Sequence, residues 1–369
     1  MLFNLFNKSK EEKKGKKILS LKVREVIRET ADTVTIYFEQ PEPYLDYKPG
    51  QFLTILLDLN GKEERRSYSL CTSPYLDPYP GITIKRVQEG LISNYLNDSI
   101  RPGKTVEIIK PAGHFTLDYH SQKNNHYMMI AGGSGITPLL SLTKSILVNE
   151  PNSRVTLLYC SRSEEQIIFK DQLESLEGKF PGKLKTIHNL TQPSNNWTGL
   201  KGRMDQGKVR DFLSQQEYSD TEKIQYLACG PDGLMETTLK TLEGMGVDKA
   251  NVLKESFFTA KAEKKESLIA EPDQQGSILT REVKIVLEGQ EYGFEVTPEQ
   301  TILEAGLGED IDMPYSCQSG LCTACRGKLI SGNVKMEEDA GLSESEIKEG
   351  YILCCVSHPL SADVKINIE

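Results

Sequence analysis

With 369 residues, 38% hydrophobic content, one Trp and no apolar run long enough to span a bilayer, the chain reads as a soluble protein of two or three domains. Its net charge of −9 is unevenly spread: from Arg281 onward 17 acidic residues face 7 basic ones, a net of −10, which leaves residues 1–280 at +1. That balance argues against nucleic acid as a partner and for a basic protein docking on the carboxyl-terminal part, with a merely solvated acidic surface as the alternative.

The opening Met1 to Phe6 is too short for a secretory apolar segment and stands before the Lys-rich run Lys8 to Lys17, so residues 1–17 read as a floppy tail without a signal peptide. A weak membrane or partner contact through its Phe and Lys side chains is the lesser alternative. Over 18–122 the pattern is that of strands. Ile18 to Val26 and Thr33 to Phe38 alternate apolar and polar positions, and Phe52 to Leu59 is a buried run closed by Asn60-Gly61. Lys62 to Leu70, Ile82 to Val87 and Val106 to Ile109 follow, with one short helix at Leu91 to Asn97. Short strands around a single helix predict a closed antiparallel β-barrel.

Over 123–260 the period changes. Strand Tyr127 to Ala131, a glycine turn and helix Leu139 to Asn149 are followed by strand Val155 to Tyr159, helix Glu164 to Leu176 and strand Leu184 to Asn189. Helix Lys208 to Gln216, strand Ile224 to Ala228, helix Gly233 to Glu243 and strand Asn251 to Phe257 complete the series. This alternation predicts an α/β domain built on a doubly wound parallel sheet. Residues 261–280 have no period and read as a linker. In 281–369, strands Val283 to Glu288, Tyr292 to Val296 and Val364 to Ile368 and the helix Thr301 to Gly306 predict a small α+β sheet around a cysteine loop.

That loop carries Cys317, Cys322 and Cys325 in C-x4-C-x2-C spacing, with Cys354-Cys355 downstream. It is the plant-type spacing for a [2Fe-2S] cluster. A zinc site, a redox Cys-x-x-Cys pair and buried thiols compete with it. Zinc sites usually pair two short knuckles where this chain has one, and Cys322 and Cys325 lack the strand-then-helix setting of a thioredoxin motif. Cys71, Cys160 and Cys229 are scattered through apolar runs of a long chain, which points to a reducing cytoplasm rather than a disulfide framework.

Three further motifs carry chemistry. In Arg66-Ser67-Tyr68-Ser69 a strand puts Arg66 and Tyr68 on one face, where a cation and a ring could hold a phosphate and a planar group together. Glu89-Gly90-Leu91-Ile92-Ser93 opens the only helix of the barrel and offers free backbone N–H groups and a hydroxyl to an anion. A polar strand face and an ordinary glycine before a helix are the alternatives. Lys85 is a further cofactor-binding candidate. Gly132-Gly133-Ser134-Gly135-Ile136-Thr137-Pro138 lies between a buried strand and a helix, the setting of a nucleotide-binding turn, although it is not G-x-G-x-x-G. Ser161 and Arg162 end the next strand, where a cation favours the 2′-phosphate of NADP; Glu164 and Glu165 blur this unless they serve to cap a helix. Cys229-Gly230-Pro231 follows a later strand at the carboxyl edge, with a buried thiol as the alternative role of Cys229.

Taken in order, R-S-Y-S, G-L-I-S, G-G-S-G-I-T-P, C-G-P, C-x4-C-x2-C and L-C-C-V resemble the ferredoxin-NADP reductase superfamily with a carboxyl-terminal plant-type ferredoxin domain. More narrowly they resemble the reductase components of phenylacetyl-CoA epoxidase and related oxygenases. The resemblance covers residues 18–369 and implies an FAD-binding barrel, an NADP-binding parallel sheet and a β-grasp ferredoxin domain. It implies that Arg66 binds the FAD pyrophosphate, Tyr68 packs on the isoalloxazine, Ser69 lies near flavin N5, and Gly90, Leu91, Ile92 and Ser93 hold phosphate. NADPH is then taken by the Gly132 to Pro138 loop and Arg162, with Cys229 near the nicotinamide. Arg203 matches a Gly-Arg position of the family, or is a surface arginine; Phe257 covers the flavin, or is a core aromatic. One departure stands out: the last ligand is usually preceded by Thr or Ser, and here by Cys354. Adjacent side chains of an extended run point opposite ways, and alignment of L-x-C-V selects Cys355. The implied function is hydride transfer from NADPH to FAD and single-electron passage through the cluster to a non-haem iron oxygenase or desaturase. Alternatives are an electron-transfer subunit of a larger flavoenzyme, whose last cysteine follows far sooner, and a redox sensor.

Overall fold

The computed structural model describes residues 18–59, 61–256 and 278–368, apart from 316, 317, 319, 321, 338–340 and 343. The tail expected over 1–17, most of the expected linker, Phe257 and Cys317 lie outside the described residues.

The first sheet contains β1 (Ile18–Thr30), β2 (Thr33–Phe38), β3 (Phe52–Leu59), β4 (Lys62–Ser69), β5 (Gly81–Lys85) and β6 (Thr105–Ala112), with α1 (Leu91–Ser99) beside it. Its order is β4-β3-β6-β1-β2-β5, with every pairing antiparallel. β1 runs beyond the expected Val26 because it serves both halves: Ile18–Lys22 pair with β6 and Val23–Thr30 with β2, with register shifts that let it bend. The two edges meet in an antiparallel bridge between Leu70 and Ile82, so the sheet curls into a barrel. Inward alternation fills it with Leu21, Val23, Ile36, Leu53, Ile55, Ile84 and Ile108.

The second sheet is wholly parallel, in the order β10-β9-β8-β7-β11-β12. Its elements are β7 (Asn125–Gly132), α2 (Ile136–Asn149), β8 (Arg154–Ser161), α3 (Lys170–Lys179), β9 (Leu184–Leu190), β10 (Leu200–Lys201), α4 (Gln206–Ser214), β11 (Lys223–Gly230), α5 (Asp232–Gly244) and β12 (Val252–Ser256). β7 is buried at every position, as a central parallel strand must be. The chain order reverses between β7 and β11, and a ligand crevice forms at the carboxyl ends of such a pair. One expected helix, Glu164 to Leu176, is broken. Glu164–Gln166 is a 3₁₀ turn, Ile167, Ile168 and Phe169 enter the core, and Phe169 takes a left-handed φ of 62° before α3. The apolar triplet gains more by burial than by continuing the helix.

The third sheet has the order β14-β13-β19-β15-β17 and is mixed, with β13 and β19 parallel. It comprises β13 (Arg281–Leu287), β14 (Gln290–Val296), β15 (Arg326–Ser331), β17 (Tyr351–Leu353) and β19 (Lys365–Ile368), and α6 (Ile302–Gly308) precedes the cysteine loop. Beside it lie α7 (Glu344–Lys348) and a separate two-stranded antiparallel sheet of β16 (Val334–Met336) and β18 (Ser357–Pro359). Contrary to expectation, Cys354–Val356 is a 3₁₀ turn and not an extended run, held where Ser357 Oγ donates to Leu353 O at 2.8 Å. Neighbouring side chains therefore diverge by about a third of a turn, so the opposite-faces argument does not apply, and Cys354 and Cys355 are both buried. Among the described residues no helix is long and apolar enough to cross a membrane.

Candidate functional site

The site forms where the carboxyl end of β4 meets the carboxyl ends of β7, β11 and β12. On β4, alternation puts Arg66 and Tyr68 on one face and Arg65, Ser67 and Ser69 on the other. The Arg66 side chain is 54% exposed, with Nη1 2.6 Å from Arg65 O and only 3.9 Å from the nearest Glu64 oxygen. Tyr68 is half-buried beside the barrel core, and burial pushes its hydroxyl pKa well above the usual value. Ser67 shares a 2.8 Å hydrogen bond with Thr54. Ser69 is buried beside the Glu255 carboxyl, close enough for its hydroxyl to lower that group's pKa.

Glu255 ties the two sheets together and was not among the residues singled out from sequence. On adjacent strands Cys229 and Glu255 are register partners, so their side chains share one face. Burial pushes the Glu255 carboxyl up to about 8, against the lowering effect of Ser69, and its buried Oε2 has no hydrogen-bond partner among the described residues. Cys229 is fully buried, and burial together with the nearby Glu255 pushes its thiol well above the usual range. Ser69, Glu255 and Cys229 thus converge in one poorly hydrated place. A buried carboxyl oxygen left unpaired suits a hydrogen-bonding group brought by a bound molecule.

The glycine loop lies against the same place. A Cβ on Gly135 would sit 2.2 Å from Cys229 O, and one on Gly132 would sit 2.7 Å from both Leu234 and Pro231. Only glycine permits this approach to the Cys229-Gly230-Pro231 turn, while Gly133 has a left-handed φ of 53°. The Tyr159 hydroxyl supports the loop by donating to Gly133 O at 3.0 Å, and Thr137 Oγ1 donates to Ser134 O at 2.9 Å. Ile136 and Pro138 are buried in the first turn of α2. That helix has no side-chain cap and no acid in its first turn; its Ile136 N–H is taken by Gly133 O and Ser134 O and Pro138 has none, so an anion would be met by the glycine turn ahead of it. α1, behind Gly90, likewise has no side-chain cap and no acid in its first turn. There Leu91 is exposed, Ile92 is buried, and Ser93 Oγ is engaged within the turn, accepting from Val87 N at 3.1 Å and donating to Gly90 O at 3.3 Å.

The remaining candidates are placed as follows. Ser161 is buried and Arg162 exposed at the end of β8. Glu164 is held by Ser194, accepting from its Oγ at 2.6 Å and its N at 3.1 Å, so this acid staples a loop. Arg203 is exposed, and its carbonyl accepts from Lys208 Nζ at 2.9 Å. Lys85 Nζ lies 3.7 Å from Asp32.

In the third sheet Cys325 and Cys355 are buried and Cys322 is half-buried. Gly320 N donates to Cys355 Sγ at 3.4 Å, which turns that sulfur toward the loop between Cys317 and Cys322. Cys354 N donates to Cys325 O at 3.1 Å and ties the two cysteine segments together. Among the described residues no three His, Cys, Asp or Glu side chains converge as on a single metal ion. Cys322, Cys325 and Cys355 thus lie on a loop and on the turn tied to it, and thiol donors in this plant-type spacing fit a [2Fe-2S] cluster.

Comparison with known proteins agrees with this geometry. Residues 19–117 match an oxidoreductase FAD-binding domain, 129–240 an oxidoreductase NAD-binding domain and 285–360 a 2Fe-2S iron-sulfur cluster binding domain. The chain is 32% identical to one of the subunits of the 1,2-phenylacetyl-CoA epoxidase of Escherichia coli K12, over 95% of this chain and 97% of that one. It is also 32% identical to the ferredoxin reductase component of 3-ketosteroid-9-alpha-monooxygenase from Rhodococcus rhodochrous, over 96% and 97%. The solved structure of phthalate dioxygenase reductase has the same fold, with a TM-score of 0.57 at 23% identity, over 95% and 98% of the two chains. The chain therefore belongs to the oxidoreductase family in which FAD-binding, NAD-binding and plant-type [2Fe-2S] domains follow one another in a single polypeptide, the family of the oxygenase reductase components.

Proposed function

We propose that the protein is an NADPH-dependent reductase that passes electrons through FAD and a [2Fe-2S] cluster to an oxygenase or desaturase partner. The observation that carries this reading is the meeting of Ser69, Glu255 and Cys229 where the barrel joins the parallel sheet. When bound, the three groups convert the electron pair of a nicotinamide into single electrons, since an iron-sulfur centre takes one at a time. The protein's own part is to hold and orient. Arg66 and the start of α1 would receive the flavin phosphates, and Tyr68 would pack on the ring system. Ser69 and Cys229 would flank the place where flavin and nicotinamide meet, with Glu255 beside the Ser69 hydroxyl. The Gly132 to Pro138 turn would receive the dinucleotide phosphates at the start of α2.

The preference for NADPH rests on Arg162, exposed at the end of β8, and on Glu164 being occupied by Ser194. With Glu164 drawn away to Ser194, the Arg162 cation suits a 2′-phosphate. Cys317, Cys322, Cys325 and Cys355 are the proposed cluster ligands, Cys355 being favoured by the Gly320 N–H that faces its sulfur. Cys355→Ser is expected to abolish the visible absorbance of the cluster and Cys354→Ser to keep it; the reverse would move the ligand to Cys354. The relatives named as reductase components of oxygenases support an oxygenase as acceptor, docking on the acidic residues that follow Arg281. The scattered thiols support the cytoplasm as the compartment.

The test is NADPH-driven reduction of cytochrome c by the isolated holoprotein, with NADH run in parallel. Rapid turnover with NADPH, slowed by Arg162→Ala, is the expected result. Sluggish turnover with either nucleotide marks a sensor and overturns the reading, and a preference for NADH overturns the role of Arg162.

A further inference from the structure

We propose that Arg65 is a positioning residue that seats the cysteine loop on the flavin-binding strand, so that its loss slows electron passage to the cluster more than reduction of the flavin. The inference rests on the electron route proposed above.

Arg65 precedes the R-S-Y-S motif and, by strand alternation, faces away from Arg66. An arginine on that face would ordinarily lie in solvent, yet this one is 5% exposed. Its guanidinium is covered from two sides. From its own strand Glu63 Oε1 accepts from Nε at 3.0 Å and from Nη2 at 2.8 Å. From the third sheet Asp312 Oδ1 accepts from Nη2 at 3.4 Å, and the Tyr315 ring lies beneath the guanidinium, 4.3 Å from centroid to Cζ.

Asp312 and Tyr315 belong to the segment that leads into Cys317. Burial fixes that segment: Ile311 and Met313 enter the core of the third sheet and Tyr315 packs against it, while the Asp312 side chain stays 34% exposed beside Arg65. Met313 is seated so closely on α6 that a Cβ on Gly306 would lie 2.3 Å from its sulfur. The far side of the contact is therefore rigid. Its near side is β4, which continues directly into Arg66 and Ser69. A planar cation held by one carboxylate and stacked on one ring fixes both distance and orientation, which a lysine could not do.

In the assay each pair of electrons taken from one NADPH leaves in two single passages and reduces two cytochrome c molecules, with NADP⁺ and one proton released. Ferricyanide taking electrons from the flavin bypasses the cluster. The holoprotein carrying Arg65→Glu, which sets a carboxylate against Glu63 and Asp312, is compared with the unaltered holoprotein by small-angle scattering and by both assays. The radius of gyration is expected to rise and cytochrome c reduction to fall about tenfold, as losing a docking contact worth one decade of equilibrium implies. Ferricyanide reduction is expected to stay within about twofold, and Arg65→Glu combined with Asp312→Arg is expected to restore the docked dimensions and the cytochrome c rate.

Unchanged scattering with an unchanged cytochrome c rate overturns the proposal. So does an equal fall in both assays, which places Arg65 in the flavin site. Should Arg65→Glu not fold, Tyr315→Leu attacks the same contact from its other side and must give the same split; equal effects on both assays overturn the proposal there too. Failure of the unaltered holoprotein to reduce cytochrome c while it reduces ferricyanide sinks the electron route itself and not the role of Arg65 alone.

Discussion

The two joins of this molecule are built differently. Between barrel and parallel sheet the apolar core is continuous: Cys71 and Phe115 of the first belong to one cluster with Leu139, Leu142 and Ile146 of α2. Polar groups cross it too. Lys144 of α2, only 2% exposed, reaches both Asp77 oxygens at 3.0 and 3.1 Å and Cys71 O at 3.5 Å. Ser145 meets Ser73 at 2.7 Å and Ser141 Oγ donates to Thr72 O at 2.6 Å. Among the described residues the third sheet, by contrast, draws its core from between Val283 and Ile368, and Arg65 meets its Asp312 and Tyr315 by a polar contact and a ring. Hydride transfer needs two rings in fixed register, which suits a shared core. A carrier that must also meet a second protein suits a small polar interface.

The strongest way to break this comparison is Asp77→Ala. It leaves the Lys144 ammonium buried without its carboxylate, and loss of one partner of a buried pair costs about 3–5 kcal/mol. Denaturant unfolding of the holoprotein, followed by flavin fluorescence, measures this. A loss below about 1 kcal/mol means the join does not depend on the pair.

Next in size is a pH effect at the same join. The Glu255 carboxyl, raised to about 8, stays protonated in the folded protein over a range where the unfolded chain has already released its proton. Its favourable contribution is therefore complete below the ordinary carboxylate value near 4.5 and is lost as pH rises toward 8. In denaturant titrations the stability of the unaltered protein should fall across that window relative to Glu255→Gln, by an amount on the order of a few kcal/mol. Parallel profiles for the two proteins would show that Glu255 does not titrate there.

How far the sequence could go follows the same division. β7 and the glycine turn were legible because a buried parallel strand and a close backbone approach each demand particular residues in sequence. β10, β16, β17 and β18, of two or three residues each, have no period of their own and exist only through distant partners. Ser69 and Cys229 stood in recognisable motifs. Glu255 carries no local mark, because what distinguishes it is burial opposite Ser69, and only the register of β11 with β12 brings it to Cys229. Arg65 was passed over beside Arg66 for a related reason: alternation says that the two diverge, not what waits on the other side.

A smaller effect is expected at the second join. Arg65→Ala removes a cation but strands no buried charge, since the Glu63 and Asp312 side chains are 40% and 34% exposed. Its cost in the same unfolding experiment should be about 1–2 kcal/mol, well under that of Asp77→Ala. Equal costs would mean that the two joins are of one kind.

The smallest effect sharpens the separateness of the third sheet. Thr301 caps α6 with a reciprocal pair of bonds: its Oγ1 accepts from Glu304 N at 3.2 Å, and Glu304 Oε2 accepts from Thr301 N at 2.9 Å. Thr301→Ala should cost about 1 kcal/mol of local stability. Because the core around α6 is drawn from the third sheet alone, that loss should lower the midpoint at which the cluster absorbance bleaches and leave the midpoint for flavin release where it was. If both midpoints move together by the same amount, the three sheets unfold as one cooperative unit and the second join is stronger than its contacts imply.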